Sequence, residues 1–140
     1  MAKQVVDCPE VFALKNFKNL DGGVPINMAV KAKGTFLFTK QIPLDRDGKT
    51  VSPGGDILAQ TRQTLENLKN MVLAAGATMK DVVAITWYVT DIEGYYGSNS
   101  SKLRREYLPE PHPTSVVIEV SKLASPEWKV ELLATVVVPD

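Results

Sequence analysis

Taken singly, few residues of this chain have both the type and the setting for reaction chemistry. The one histidine, His112, stands in Pro111-His112-Pro113. An imidazole there would pass protons near neutral pH, or would simply lie exposed in a loop. The one cysteine, Cys8, has no Cys/His/Asp arrangement around it that would raise a thiolate nucleophile. A lone cysteine forms no intrachain disulfide. Without a CxxC or a Cys/His cluster, neither a zinc site nor any other metal or cofactor is expected. Arg104 and Arg105 put two guanidinium groups side by side, where solvation or bridging between subunits competes with anion binding. Gly54-Gly55 is too short to cradle a phosphate and reads as a turn. These residues by themselves name no reaction.

The charge balance narrows the partners. Lys and Arg together number 16, Asp and Glu 16, and the formal net charge is zero. A neutral chain has no general attraction for nucleic acid or an anionic membrane, and it carries no basic-aromatic stripe for single strands. Neither nucleic acid nor membrane is an expected partner. With 140 residues, 44% apolar and 23% charged, the chain suits one globular domain spanning residues 1–140. Its first residues, Met1 to Asp7, lack the apolar stretch of a signal peptide. No run approaches the roughly 20 apolar residues that span a bilayer. The expected compartment is the cytoplasm.

The elements that would position a site follow from pattern. The first thirty residues read as irregular, with Pro25 and the glycines before it marking turns. Ile26 to Val30 and Gly34 to Thr39 read as two strands joined through Lys31-Ala32-Lys33-Gly34. Apolar residues Ile57, Leu65, Leu68, Val72 and Ala75 recur at spacings of three and four around Thr61, which predicts a helix over 56–75. Asp56 suits its N-terminus and Gly76 its left-handed exit. Val82 to Val89 is a β-branched and aromatic strand. A second helix is predicted over 95–107, although Gly97 and its serines weaken the start. Pro109, Pro111 and Pro113 enforce an extended loop. Thr114 to Val120 then alternates as a strand, with Thr114, Val116, Ile118 and Val120 on one face and Ser115, Val117, Glu119 and Ser121 on the other. The last strand covers about 129–138.

The expected fold is therefore α+β: a ββαβαββ two-layer domain with two helices on one face of the sheet. Val117, Leu133 and Val137 are expected to project from the other face, which nothing in so short a chain can cover. Self-association with cyclic symmetry is the economical way to bury such a face.

The run Gln60-Thr61-Arg62-Gln63-Thr64-Leu65-Glu66-Asn67-Leu68-Lys69, followed by Ala75-Gly76-Ala77-Thr78-Met79-Lys80-Asp81-Val82-Val83, resembles the main-helix signature of the Rid/YjgF family. Gln41-Ile42-Pro43, Val89-Thr90-Asp91-Ile92 and Pro113 before Val117-Ile118-Glu119-Val120 agree with it in order. The resemblance spans about residues 25–138. It implies a chorismate-mutase-like fold, a tight homotrimer, and small-molecule ligands in clefts between subunits. It further implies hydrolysis of reactive enamines and imines to 2-keto acids and ammonia; some relatives carry an endoribonuclease description.

The same resemblance assigns the site. An arginine that grips the substrate carboxylate in active deaminases falls on Ser115. The acidic residue near the attacking water falls on Leu133, and a first-strand tyrosine falls on Ile26. Asn99 matches a pocket asparagine with an expected catalytic role. Thr39 replaces a serine whose hydroxyl faces the ligand, and Lys40 replaces the adjacent glycine. Val117 joins the substrate-binding positions. Glu119 matches a family glutamate of structural role. Lys40 would restore the missing cation from another wall, or else point to solvent. Glu131, two residues before Leu133 and on the same strand face, would act as general base or form an interface ion pair. The expected activity is deaminase-type hydrolysis with altered specificity. The alternative is a trimer that binds a metabolite or partner without turnover.

Overall fold

The structure, a computed structural model, describes residues 2–16 and 24–140. The predicted turn glycines Gly22 and Gly23 lie outside the described residues. Six strands form one sheet: β1 (Lys3–Val5), β2 (Ala29–Ala32), β3 (Phe36–Gln41), β4 (Val82–Val89), β5 (Thr114–Glu119) and β6 (Val130–Val137). Their spatial order is β1-β2-β3-β6-β4-β5, antiparallel except for the β4–β5 pair. Helix α1 (Ile57–Ala74) joins β3 to β4, while α2 (Ile92–Gly97) and α3 (Ser100–Tyr107) form the crossover into β5. The helices cover one face, as the α+β reading expects.

Several expectations needed correction. The first thirty residues are not wholly irregular, because Lys3–Val5 pairs with β2 and extends the sheet. Three residues are too few for any periodicity to be read. The predicted second helix is two helices, broken at Asn99, which adopts φ +68° between them. Asparagine tolerates that left-handed geometry better than most side chains. The β2–β3 turn is tighter than predicted: only Lys33, Gly34 and Thr35 separate the paired Ala32 and Phe36, with positive φ at Lys33 and Gly34 and Thr35 N donating to Ala32 O.

Helix α1 shows why a largely polar helix sits so deep. Leu65, Leu68, Met71 and Val72 give the apolar stripe, and the Asp56 carboxylate caps the N-terminus by accepting from Leu58 N and Ala59 N. Gly76 leaves the helix at φ +88°. Gln60 and Asn67 are also buried, and each ties down a loop. Asn67 Nδ2 donates to the carbonyls of Ile42 and Leu44 at 3.0 and 2.9 Å. Gln60 Nε2 donates to the carbonyls of Ser52 and Glu127, and its Oε1 accepts from Lys129 N at 2.7 Å. Gln60→Leu would leave three backbone groups without this partner, at about 1–3 kcal/mol for each that stays buried and unsatisfied. Urea unfolding should show a loss of about 3 kcal/mol or more; a loss below about 1 kcal/mol would mean water replaces Gln60 freely.

The other sheet face is open and apolar. Phe38 is 52% exposed, Val116 53% and Leu133 44%, with Phe36, Ile118 and Val137 also exposed. Val117 does not belong to this set. It pairs in register with Trp87, which is fully buried, and packs against the core under the helices. Val116, opposite Thr86 and so on the face of Leu133, takes the place expected for Val117. β5 is apolar at three successive positions, so alternation alone cannot say which side faces the helices; pairing with β4 decides it. Among the described residues no helix is long and apolar enough to cross a membrane.

Candidate functional site

The expected site residues separate into two groups. The first lies on the open face. Lys40, on β3, stands opposite Leu133 on β6, and Glu131 follows two residues away on the same face. Lys40 Nζ lies 2.8 Å from Glu131 Oε1, with the two side chains 27% and 18% exposed. Within the chain the Lys40 ammonium thus meets a carboxylate, the ion pair being one of the two places expected for Glu131. Ile26, Leu44 and Thr50, with the loop from Ala124 to Trp128, line a cavity of about 600 Å³ that Lys40 borders. Gln60 holds that loop through Glu127 O and Lys129 N. Trp128 Nε1 donates to Thr50 Oγ1, which donates in turn to Glu127 Oε1.

Thr39 falls on the opposite side of β3. It is buried, its hydroxyl donating to Met28 O at 2.7 Å and accepting from Gln41 Nε2 at 3.0 Å. The hydroxyl expected to face a ligand instead holds β2 and β3 together. Strand alternation explains the difference, since adjacent residues Thr39 and Lys40 must point to opposite faces.

The second group lies where β5 begins beneath α3. Ser115 stands opposite the buried Ile85, on the helix side. Arg104 Nη1 donates to Ser115 Oγ at 3.2 Å, and Nη2 donates to Ser101 Oγ at 3.2 Å. The guanidinium carbon lies 5.7 Å from the Tyr95 ring centroid and 5.9 Å from that of Tyr96. The cation beside Ser115 is thus Arg104 rather than Lys40. No helical period marks Arg104 apart from Arg105; only the crossover brings it over β5. Arg105, Leu108, His112 and Pro113 complete a cavity of about 260 Å³ with Arg104, Ser101 and Ser115.

His112 Nδ1 lies 3.0 Å from Leu108 O. A carbonyl can only accept, so that nitrogen carries hydrogen, and Nε2 is left facing the Glu110 carboxylate at 3.8 Å. Tyr95 was not foreseen as part of this region. Burial pushes its phenol up to about 12, against the opposing influence of the Arg104 charge, so the ring stays neutral beneath the guanidinium. Asn99 is exposed at the α2–α3 break and makes no side-chain cap hydrogen bond to α3.

Two other residues take structural places. Glu119 Oε1 accepts from Ile92 N at 3.1 Å and anchors the start of α2. Cys8 is buried and its thiol donates to Glu10 Oε2; burial first, and that bond second, push the thiol up, which disfavours the thiolate. Among the described residues no three His, Cys, Asp or Glu side chains gather where they could hold a metal ion.

The fold is thus a two-layer α+β domain with one sheet face covered by helices and the other bare, largely apolar and carrying the Lys40–Glu131 pair. Comparison with known proteins agrees with this architecture. The sequence pattern of the family described as "Endoribonuclease L-PSP" matches residues 19–138. A RutC family protein of Pyrococcus horikoshii is 43% identical over 101 residues, 71% of this chain and 76% of that protein. "Protein mmf2, mitochondrial" of Schizosaccharomyces pombe is 33% identical over 119 residues, 84% of this chain and 90% of that protein. Among solved structures, the Rid-family protein YyfA of Yersinia pestis superposes with a TM-score of 0.80 at 28% identity, over 98% of this chain and 100% of that one. The YjgF gene product of E. coli superposes at 0.77 with 25% identity, over 96% and 98%. The chain belongs to the Rid/YjgF family.

Proposed function

We propose that this protein hydrolyses small enamines and imines, in clefts formed between the subunits of a homotrimer. The observation that carries the reading is the Lys40–Glu131 pair, 2.8 Å apart on a largely apolar face, with Lys40 bordering a cavity. The pair puts a carboxylate base and an ammonium acid within reach of one small molecule. In the reaction the imine carbon gains the oxygen of water and loses its nitrogen as ammonia. Glu131 takes a proton from the attacking water, and Lys40 gives one to the departing nitrogen. Within one chain this pair and the Arg104–Ser115 group lie on opposite faces of the sheet. Packing the bare face on a neighbour would both bury Phe38 and Val116 and bring the two groups toward a shared cleft.

The name of the matching family, endoribonuclease L-PSP, implies an RNA-cleaving activity. Zero net charge and the absence of any basic-aromatic stripe argue against that for this chain. Binding without turnover is the rival reading, favoured by the mutual neutralisation of Lys40 and Glu131.

An amino-acid oxidase that generates 2-imino acids in place, with semicarbazide trapping whatever imine survives, tests the reaction. The protein should lower semicarbazone formation in proportion to its concentration. No decrease with any of several oxidase substrates, at stoichiometric protein, would remove the hydrolase reading and leave the binding one.

A further inference from the structure

We propose that the groove between α1 and α3, on the helix side of the domain, docks a short acidic peptide segment of a partner protein. Arg62, Glu66, Lys69 and Leu73 follow one another on α1 at intervals of four, three and four residues, which makes one stripe along the helix. At about 1.5 Å per residue the stripe is about 16 Å long, room for about five extended residues. Arg105, Glu106 and Tyr107 at the end of α3 share a cavity of about 640 Å³ with it. Pro109 and the turn Met79–Asp81 that leads into β4 contribute to the same cavity. Arg62 Nη1 lies 3.7 Å from Glu106 Oε2, which ties one helix to the other.

Charge says what fits there. Four cations and two carboxylates line the cavity, a local charge of +2 (4 − 2) in a chain whose net charge is zero. Both carboxylates are already engaged, Glu106 by Arg62 and Glu66 by the Tyr107 phenol. Among the described residues Lys69, Lys80 and Arg105 have no carboxylate within 4.0 Å, so the unanswered charge is positive. Apolar surface accompanies it. Met79, Tyr107 and Pro109 are half-buried, and Leu73 is 53% exposed beside them in the same cavity. A peptide with carboxylates spaced by apolar side chains answers both features. A nucleic-acid backbone, charged at every nucleotide, would meet repulsion from Glu66 and Glu106 within the groove.

The groove belongs to the helix layer, so it stays open if the bare sheet face packs on a neighbour, and the proposal is independent of the hydrolase reading. Three fluorescein-labelled hexapeptides serve as probes, read by fluorescence anisotropy. One alternates glutamate with leucine, one lysine with leucine, and one glutamate with serine. The first should bind, and the other two should bind about tenfold more weakly or worse. Lys69→Glu combined with Lys80→Glu should weaken the first peptide about tenfold or more, and Leu73→Ser about threefold to tenfold. These positions are exposed, and thermal unfolding checks that the variants remain folded.

Lys122→Glu is the control. Lys80 precedes β4, whereas Lys122 lines a pocket with Thr90 just beyond the strand's far end. Eight strand residues at about 3.3 Å each separate the two ends, several times the screening length of about 8 Å at physiological salt. Binding should therefore stay within about twofold in Lys122→Glu.

No rise in anisotropy at about 1 mM protein, or equal binding of the three peptides, overturns the proposal. So does binding that survives the double charge reversal. A single-stranded hexanucleotide that binds more tightly than the first peptide, and depends on Lys69 and Lys80, would give the groove to nucleic acid instead. Peptide binding without imine hydrolysis sinks the proposed reaction alone, and hydrolysis without peptide binding sinks this proposal alone.

Discussion

Glu131→Gln should lower kcat/KM for imine hydrolysis by about a hundredfold or more while leaving the fold intact. A glutamine keeps the shape and one hydrogen bond to Lys40, but it cannot take a proton from water, and a positioned general base contributes roughly 10²–10⁴-fold. The substitution also leaves the Lys40 ammonium facing a neutral amide in a partly buried setting. Stability should therefore fall as well, by about 1–2 kcal/mol, between the value of an exposed pair and that of a buried one. The decisive comparison is with Lys40→Met and the double variant. If the two residues act as one unit, the double variant loses little more activity than Glu131→Gln alone. If Glu131 serves only to hold Lys40 in place, Glu131→Gln retains activity within about threefold and the general-base role is withdrawn.

The second large effect concerns assembly. Phe38→Asp should convert the proposed homotrimer to monomers at micromolar concentration, without loss of secondary structure. Phe38 stands on the bare face, opposite Thr135 on β6 and Val30 on β2, and is 52% exposed in the single chain. A monomer loses little when that side chain becomes charged, since water already reaches it. An interface made from Phe36, Phe38, Val116 and Leu133 would have to bury one unpaired carboxylate per subunit, a cost of several kcal/mol each. Light scattering or native mass spectrometry reads the mass directly. A Phe38→Asp protein that remains trimeric would show that the subunits meet elsewhere, and the shared cleft would have to be moved with them. Imine hydrolysis should disappear with the trimer even though Lys40, Glu131 and Arg104 are untouched. Activity in the monomer would show that one chain holds a complete site.

How much was legible beforehand differs by element. The long helix was written locally: Leu65, Leu68 and Val72 at helical spacing, Asp56 before them and Gly76 after them lie within one window of chain. Its polar residues Gln60 and Asn67 were visible only as part of a family signature. Their physical reason, three and two bonds to distant backbone, needed the loops they hold. β1 carried no readable signal because a three-residue strand has no period. The break at Asn99 was hinted at by Gly97 and the serines but placed too loosely to separate two helices.

For the site the division is sharper. Composition and order alone determined an α+β chain with more apolar strand surface than its helices cover, and neutral charge with no appeal to nucleic acid. The resemblance to the Rid/YjgF family, not composition, marked Lys40, Ser115, Leu133 and Ile26 as departures from its pattern. Only the tertiary structure decided which face each residue occupies and what it meets. Alternation in β5 was ambiguous because Val116, Val117 and Ile118 are all apolar, and register against Trp87 turned Val117 inward. Lys40 met Glu131 because β3 and β6, far apart in the chain, became neighbours. Arg104 met Ser115 because the α2–α3 crossover returns over the strand it precedes. Periodicity reports how a segment alternates; charge pairing and site geometry depend on contacts between segments, which no local pattern contains.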